Sequence, residues 1–175
     1  CAVILVVAAT MLISANGVAA PNAAGIYADI RPDTGIVSAL GEDESQDDVE
    51  AEIMRQLQDG VAAARRGDYA AALDLWRPLA EAGNADAQYA LGIMVINGKG
   101  VSQDDAEAVM WFRLAAEQGF ADAQFNLGIA YLSGRGISQD DEEAVNWFRP
   151  AAEQNQVAAQ FNLGRAYSIG QGIVK

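Results

Sequence analysis

The chain has 175 residues, with 24 Asp and Glu against 11 Lys and Arg, a formal net charge of −13, no His, and a single Cys at position 1. This acidic balance argues against nucleic acid, whose phosphates need a basic footprint, and against docking on anionic lipid. The lack of His removes the commonest general base and metal ligand, and a lone Cys1 excludes internal disulfides and Cys-type zinc sites.

Taken in chain order, residues 1–19 read as a signal peptide. Ala2 to Ile13 is an uncharged apolar run followed by small residues. The run is too short for the roughly 18–20 residues that span a bilayer but suits a signal-peptide core. Small residues at Gly17 and Ala19 place cleavage after Ala19. With no basic leader and no initiator Met, the chain is expected to begin inside a longer open reading frame. The other readings are an acylated Cys1 and an N-terminal core helix. The first is disfavoured because a lipoprotein continues into a polar tether, the second because the run has no polar helical face. Residues 20–46 read as an acidic, Gly- and Pro-rich linker, broken at Pro21, Gly25, Pro32, Gly35 and Gly41. The acidic block Glu42 to Asp48 is either an interaction tail or a solvated spacer that supplies N-terminal helix charge. The second reading is favoured because the block leads into a helix.

From residue 47 onward the chain repeats. Residues 76–111 match 112–147 at 21 of 36 positions, and 112–139 match 148–175 at 17 of 28. A fixed period in the range of about 20–50 residues means stacked supersecondary units. The units divide as a divergent leader 47–83, repeats 84–119 and 120–155, and an incomplete repeat 156–175.

Each unit reads as a helix pair. Asn84 to about Asn97 carries Ala87, Leu91, Met94 and Val95 on one face at helical spacing. Gly98-Lys99-Gly100 stops it and recurs as Gly134-Arg135-Gly136 and Gly170-Gln171-Gly172, glycines suited to positive φ. A second helix starts at Asp104 with Glu107 three residues on, and again at Asp140 with Glu143, a capping-box pattern. It runs to Gln118 and closes at Gly119, equivalent to Gly83, with Asn155 as the left-handed cap in the third copy. Pro78 and Pro150 lie inside second helices and predict kinks or restarts, because each removes a hydrogen bond to the carbonyl four residues earlier.

The pattern Ala-Asp-Ala-Gln-(Tyr/Phe)-x-Leu-Gly, then Gly-x-Gly-(Val/Ile), Asp, and Ala-Val-x-Trp-Phe-Arg-x-Ala-Ala-Glu-Gln-Gly resembles the Sel-one-like repeat, a 36-residue relative of the tetratricopeptide repeat. It is carried by Ala85 to Gln88, Leu91-Gly92, Gly98, Gly100, Asp104, Ala108 and Trp111, then Ala121 to Trp147, then Ala158 to Gly172, and covers roughly 60–175. Val95 stands where Tyr131 and Tyr167 have the family's Tyr, and Asn155 replaces a closing Gly. The resemblance implies an all-α fold, a right-handed α/α superhelix or solenoid of tetratricopeptide-like helix pairs, used as an adaptor without intrinsic catalysis.

Positions identical in every copy are assigned to packing. Gly92, Gly128 and Gly164 each cost about 1 kcal/mol relative to Ala in mid-helix, so a close helix approach is expected there. Trp111, Trp147, Phe112 and Phe148 are expected between layers. Positions that vary on the first helices, which line the concave face in such folds, are the candidate partner contacts. They form three columns: Ala90, Asn126 and Asn162; Ile93, Ile129 and Arg165; Asn97, Ser133 and Ile169. Asn suits a groove that clamps peptide backbone, since its amide donates and accepts, and it suits plain solvent exposure equally.

The paired carboxylates Asp104, Asp105 and Glu107, and Asp140 to Glu143, are explained by helix capping. They lack the alternating oxygens of a calcium loop, so neither a hydrolase nor a metal site is expected, and no cofactor is expected. Two functions remain: an exported scaffold binding a partner protein or peptide along the concave face, or a soluble periplasmic regulator that inhibits a membrane sensor or cell-wall machine. Both place the protein in the periplasm or secreted, with no membrane insertion after signal removal. Because residue 175 follows a first helix, a fragment is expected, with an apolar stripe along Ala159, Leu163, Ala166 and Tyr167 open to self-association.

Overall fold

A computed structural model describes residues 46–170 and 172; the expected signal peptide and all but the last residue of the expected linker lie outside these. Among the described residues seven helices follow one another: α1 (Gln46–Arg65), α2 (Tyr69–Glu81), α3 (Ala85–Ile96), α4 (Asp105–Glu117), α5 (Ala121–Ser133), α6 (Asp141–Glu153) and α7 (Val157–Ile169). Among the described residues there is no strand, and the packing that dominates is between helices adjacent in sequence. That is the nearest-neighbour architecture of an α/α solenoid.

Local chemistry sets the helix ends. Asp68, Asn84, Asp104 and Asp140 cap α2, α3, α4 and α6, each accepting from a first-turn backbone amide. Asp47 and Asp48 fall in the first turn of α1, where carboxylates meet the positive end of the helix. The reciprocal half of the expected capping box is not made. The Asp104 amide donates to Val95 O at 3.4 Å and the Asp140 amide to Tyr131 O at 2.9 Å, tying each second helix to the first helix before it. Glu107 instead accepts from the Trp111 indole at 3.4 Å. Asn155 closes α6 with φ +65°, the left-handed geometry that Gly119 supplies after α4.

Both α2 and α6 run unbroken through their prolines, so the expected restarts do not occur. Each proline lies near the end of its helix and forfeits only the bond to residue 74 or 146. The Pro78 and Pro150 carbonyls still accept from residues 82 and 154.

Large side chains seat against small ones. A Cβ on Gly92 would lie 2.5 Å from the Phe112 ring, and one on Gly128 would lie 2.6 Å from Phe148. The corresponding Cβ on Gly164 meets nothing within 4 Å, so the close approach expected there is absent. Gly60 does the same for Trp76 in the leading unit, where the Trp76 indole also donates to Leu57 O at 3.3 Å. Val95 is buried where the later repeats carry Tyr, and it packs in the first core cluster with Leu91 and Phe112.

A relay of glutamines crosses the repeats. Gln88 donates to Ala80 O at 3.1 Å in the last turn of α2, and its own Oε1 accepts from Gln118 at 2.8 Å. One unit later Gln124 donates to Ala116 O at 3.2 Å and accepts from Gln154 at 3.0 Å. Among the described residues these are the two buried polar side chains, and each is satisfied on both sides.

The expected apolar stripe on α7 is corrected. Ala159 and Ala166 are buried and Leu163 is partly covered, because α7 lays this face on α6 as α5 lays Ala123 on α4. Of the expected stripe Tyr167 alone is exposed; the other exposed apolar side chains are Val157 and Phe161, opposite the buried face, and Ile169.

Candidate functional site

A groove of about 950 Å³ lies between α1 and α3, floored by α2 and bounded by Phe120 at the start of α5. On α1 the residues Met54, Leu57 and Val61 face it. On α3 it is lined by Tyr89, Ala90, Ile93 and Met94. Met54 and Val61 are exposed although they are apolar, so the groove is an uncovered apolar surface. Its charged members are Arg65, Asp86 and Lys99.

The leading unit, which supplies one wall of the groove, is built differently from the others. Its two helices are joined by the short turn Arg66-Gly67-Asp68, with Gly67 at φ +80°, in place of the longer Gly-x-Gly loop. In the later units the second glycine of that loop lies against the second helix of the unit before. A Cβ on Gly136 would sit 2.2 Å from Asp105 O, and one on Gly100 would sit 2.8 Å from Tyr69 Cβ. Arg135 then pairs with Asp105 at 2.9 Å, while Lys99 lies 5.5 Å from the centre of the Tyr69 ring.

Tyr89 stacks in the wall of the groove, 5.0 Å from the Phe120 ring centre and 6.0 Å from that of Phe112. Burial holds its phenol above the usual tyrosine range. The carboxylate of Asp122 adds to this, and a hydrogen bond with Asn126 works against it.

The candidate contact residues do not form one continuous set. Ala90 and Ile93 line the groove, and Asn126 meets its wall through Tyr89. Asn162 and Arg165 line a separate narrow cleft with Leu132, Asp141 and Phe148. Ile129 is partly buried against the Phe148 cluster, while Asn97 and Ser133 are exposed at the ends of α3 and α5. The amides of Asn97, Asn126 and Asn162 donate to carbonyls four residues back on their own helices, at 2.7, 2.9 and 2.8 Å. One donor of each is therefore already used. Met54, Leu57 and Val61 were not among the candidates, because the shorter turn takes the leading unit out of the 36-residue register: Gly60 faces Trp76 sixteen residues on, where Gly92 faces Phe112 twenty residues on.

A stack of helix pairs with an apolar groove on one face defines a helical-repeat scaffold. The Sel1 repeat matches residues 57–84, 85–120, 121–156 and 157–175, and the chain belongs to the Sel1 repeat family. Sel1 repeats commonly form protein-interaction scaffolds and are a non-enzymatic class. Among solved structures, the chain is similar to a protective antigen present in uropathogenic Escherichia coli strains that displays an SLR fold. That match is 40% identical with a TM-score of 0.66, covering 71% of this chain and 28% of that one. It is also similar to a Sel1 repeat protein from Oxalobacter formigenes, 40% identical with a TM-score of 0.63, covering 66% of this chain and 48% of that one. Cysteine rich protein B of Helicobacter pylori shares the fold at 19% identity and a TM-score of 0.52, with 64% of this chain and 95% of that one aligned. The chain thus spans about a quarter to a half of the length of the first two. No curated protein matches it. Among the described residues no helix is long and apolar enough to cross a membrane.

Proposed function

We propose that this chain is an exported scaffold that holds a partner peptide or protein domain along the concave face of its solenoid. The observation that carries the reading is the uncovered apolar groove between α1 and α3, bounded by polar groups, as recognition surfaces are. Ile93 supplies floor area, and Asn126, Ile129, Asn97 and Ser133 extend the face toward α5, with Asn162 and Arg165 as a further contact at α6 and α7. Export to the periplasm or beyond is supported by the apolar run Ala2 to Ile13 with small residues after it, and by the likeness to a protective antigen.

A photo-crosslinking side chain placed at position 93 or 126 tests this in cell-envelope extract, with position 110, an exposed site on α4, as the control. Adducts at 93 that disappear in the Asn126→Ala/Asn162→Ala background, and adducts at 126 that disappear with Ile93→Asp, are expected. Equal labelling at all three positions would sink the proposal. The exposed Val157, Phe161 and Ile169 also support self-association through α7. Sedimentation should then show a mass that rises with concentration in the wild type and not in Phe161→Glu, and a constant wild-type mass would count against it.

A further inference from the structure

The charge of the groove runs against that of the chain. The sequence carries a formal −13, yet two of the three charged side chains lining the groove are cations, Arg65 and Lys99. They share one end: Arg65 is the last residue of α1, and Lys99 follows the end of α3. Asp86, in the first turn of α3, lies at the other end, where Asp122 also acts on Tyr89. Lys99 is held at its end by the Tyr69 ring. Arg65 and Lys99 are both exposed, and neither belongs to the salt bridges Arg55–Glu52 and Arg135–Asp105. Between the ends the surface is apolar, through Met54, Val61, Ile93 and Met94.

This layout selects an occupant by chemistry and by direction. From Met54 to Arg65 the helix rises roughly 16 Å, at ~1.5 Å per residue. An extended peptide covers that in about five residues, at ~3.3 Å each. Apolar side chains along it would cover the floor, and carboxylates at one end would meet two cations that have no acid beside them in the lining. The reverse orientation would set those carboxylates against Asp86 and Asp122, a repulsion that fixes direction. Resting on the scaffold reading above, we propose that the groove takes an apolar peptide segment flanked on one side by Asp or Glu, with the acidic end at Arg65 and Lys99.

Fluorescence anisotropy with three acetylated and amidated peptides tests the proposal. They share a five-residue core of Leu, Phe and Ile and end in Glu-Glu, Ser-Ser or Lys-Lys. The Glu-Glu peptide is expected to bind the 175-residue chain about tenfold more tightly than the Ser-Ser one, the scale of charge-assisted hydrogen bonds. In the Arg65→Glu/Lys99→Glu variant the order should invert in favour of Lys-Lys. The milder Lys99→Gln, with circular dichroism as the folding control, should erase part of the preference. Equal affinities for the three peptides, or a preference that survives charge reversal, would overturn the acidic-flank assignment. Val61→Asp separates the two levels. If it abolishes binding of all three peptides while their affinities for wild type are equal, the groove binds apolar peptide and only the charge assignment fails. If none of the peptides binds, or Val61→Asp changes nothing, the groove reading falls too.

Discussion

At the scale of single residues, the most informative positions are three glycines with one sequence context and two environments. Gly92 and Gly128 face phenylalanine rings that a Cβ could approach only to about 2.5 Å, whereas Gly164 faces open space. Gly128→Ala should therefore destabilise by about 1–3 kcal/mol through overpacking. Gly164→Ala should instead stabilise, by at most about 1 kcal/mol, as Ala replaces Gly within a helix. Urea denaturation of the two variants reads this directly, and equal effects would refute it. Tyr89 supplies a pH-linked test. Its folded pKa lies above the unfolded value of about 10, so the folded chain holds that proton more tightly. The contribution is complete below pH 10 or so and is lost as the pH rises through the folded value. The stability advantage of the wild type over Tyr89→Phe should accordingly shrink on going from pH 9 to pH 11. The fold should accept that substitution, since Phe125 and Phe161 hold the equivalent positions. A difference independent of pH would contradict the assignment.

At the scale of elements, the glutamine relay joins neighbouring repeats more specifically than their alanine-rich contacts do. Gln124 satisfies a carbonyl at the end of α4 while accepting from Gln154 at the end of α6, so one side chain links three helices. Gln124→Ala removes one donor from Ala116 O, which still accepts from the Gly119 amide, and should cost about 0.5–1.5 kcal/mol. A double-mutant cycle of Gln124→Ala and Gln154→Ala should give a coupling of at least about 0.5 kcal/mol, and strict additivity would show the bond to be inconsequential. The sequence marks these glutamines as recurrent without disclosing why. Their partners lie 8 and 30 residues away, and only the stacking of units brings them within reach. The capping residues differ in this respect. Asp104, Asp140 and Asn84 act on amides two or three residues ahead, so their role can be read from spacing alone.

For the whole molecule, nearest-neighbour packing predicts a gradient of local stability. The helices α3 to α5 have packed neighbours on both sides, while one side of α7 exposes Val157, Phe161 and Ile169. Amide hydrogen exchange on the 175-residue chain should give the greatest protection in α3, α4 and α5 and the least in α7, since a helix with an exposed apolar side opens at lower free energy. Uniform protection across α3 to α7 would indicate a single cooperative unit instead.

Recurrent and local features are legible in the chain alone: the helix pairs of the 36-residue unit, their caps, the positive-φ Gly and Asn closures, the Phe and Trp layers, and the family. Recurrence separates shared packing positions from variable ones, and caps are short-range chemistry. Tertiary structure alone decided which faces remain open. Met54 and Val61 line the groove from a unit whose shortened turn takes them out of the 36-residue register. The stripe on α7 lay on the opposite side because small alanines pack inward against α6 and leave Phe161 outward. Asn126 and Asn162 share a column in the sequence but have different surroundings, since these depend on which helices flank a side chain, and each repeat has different neighbours.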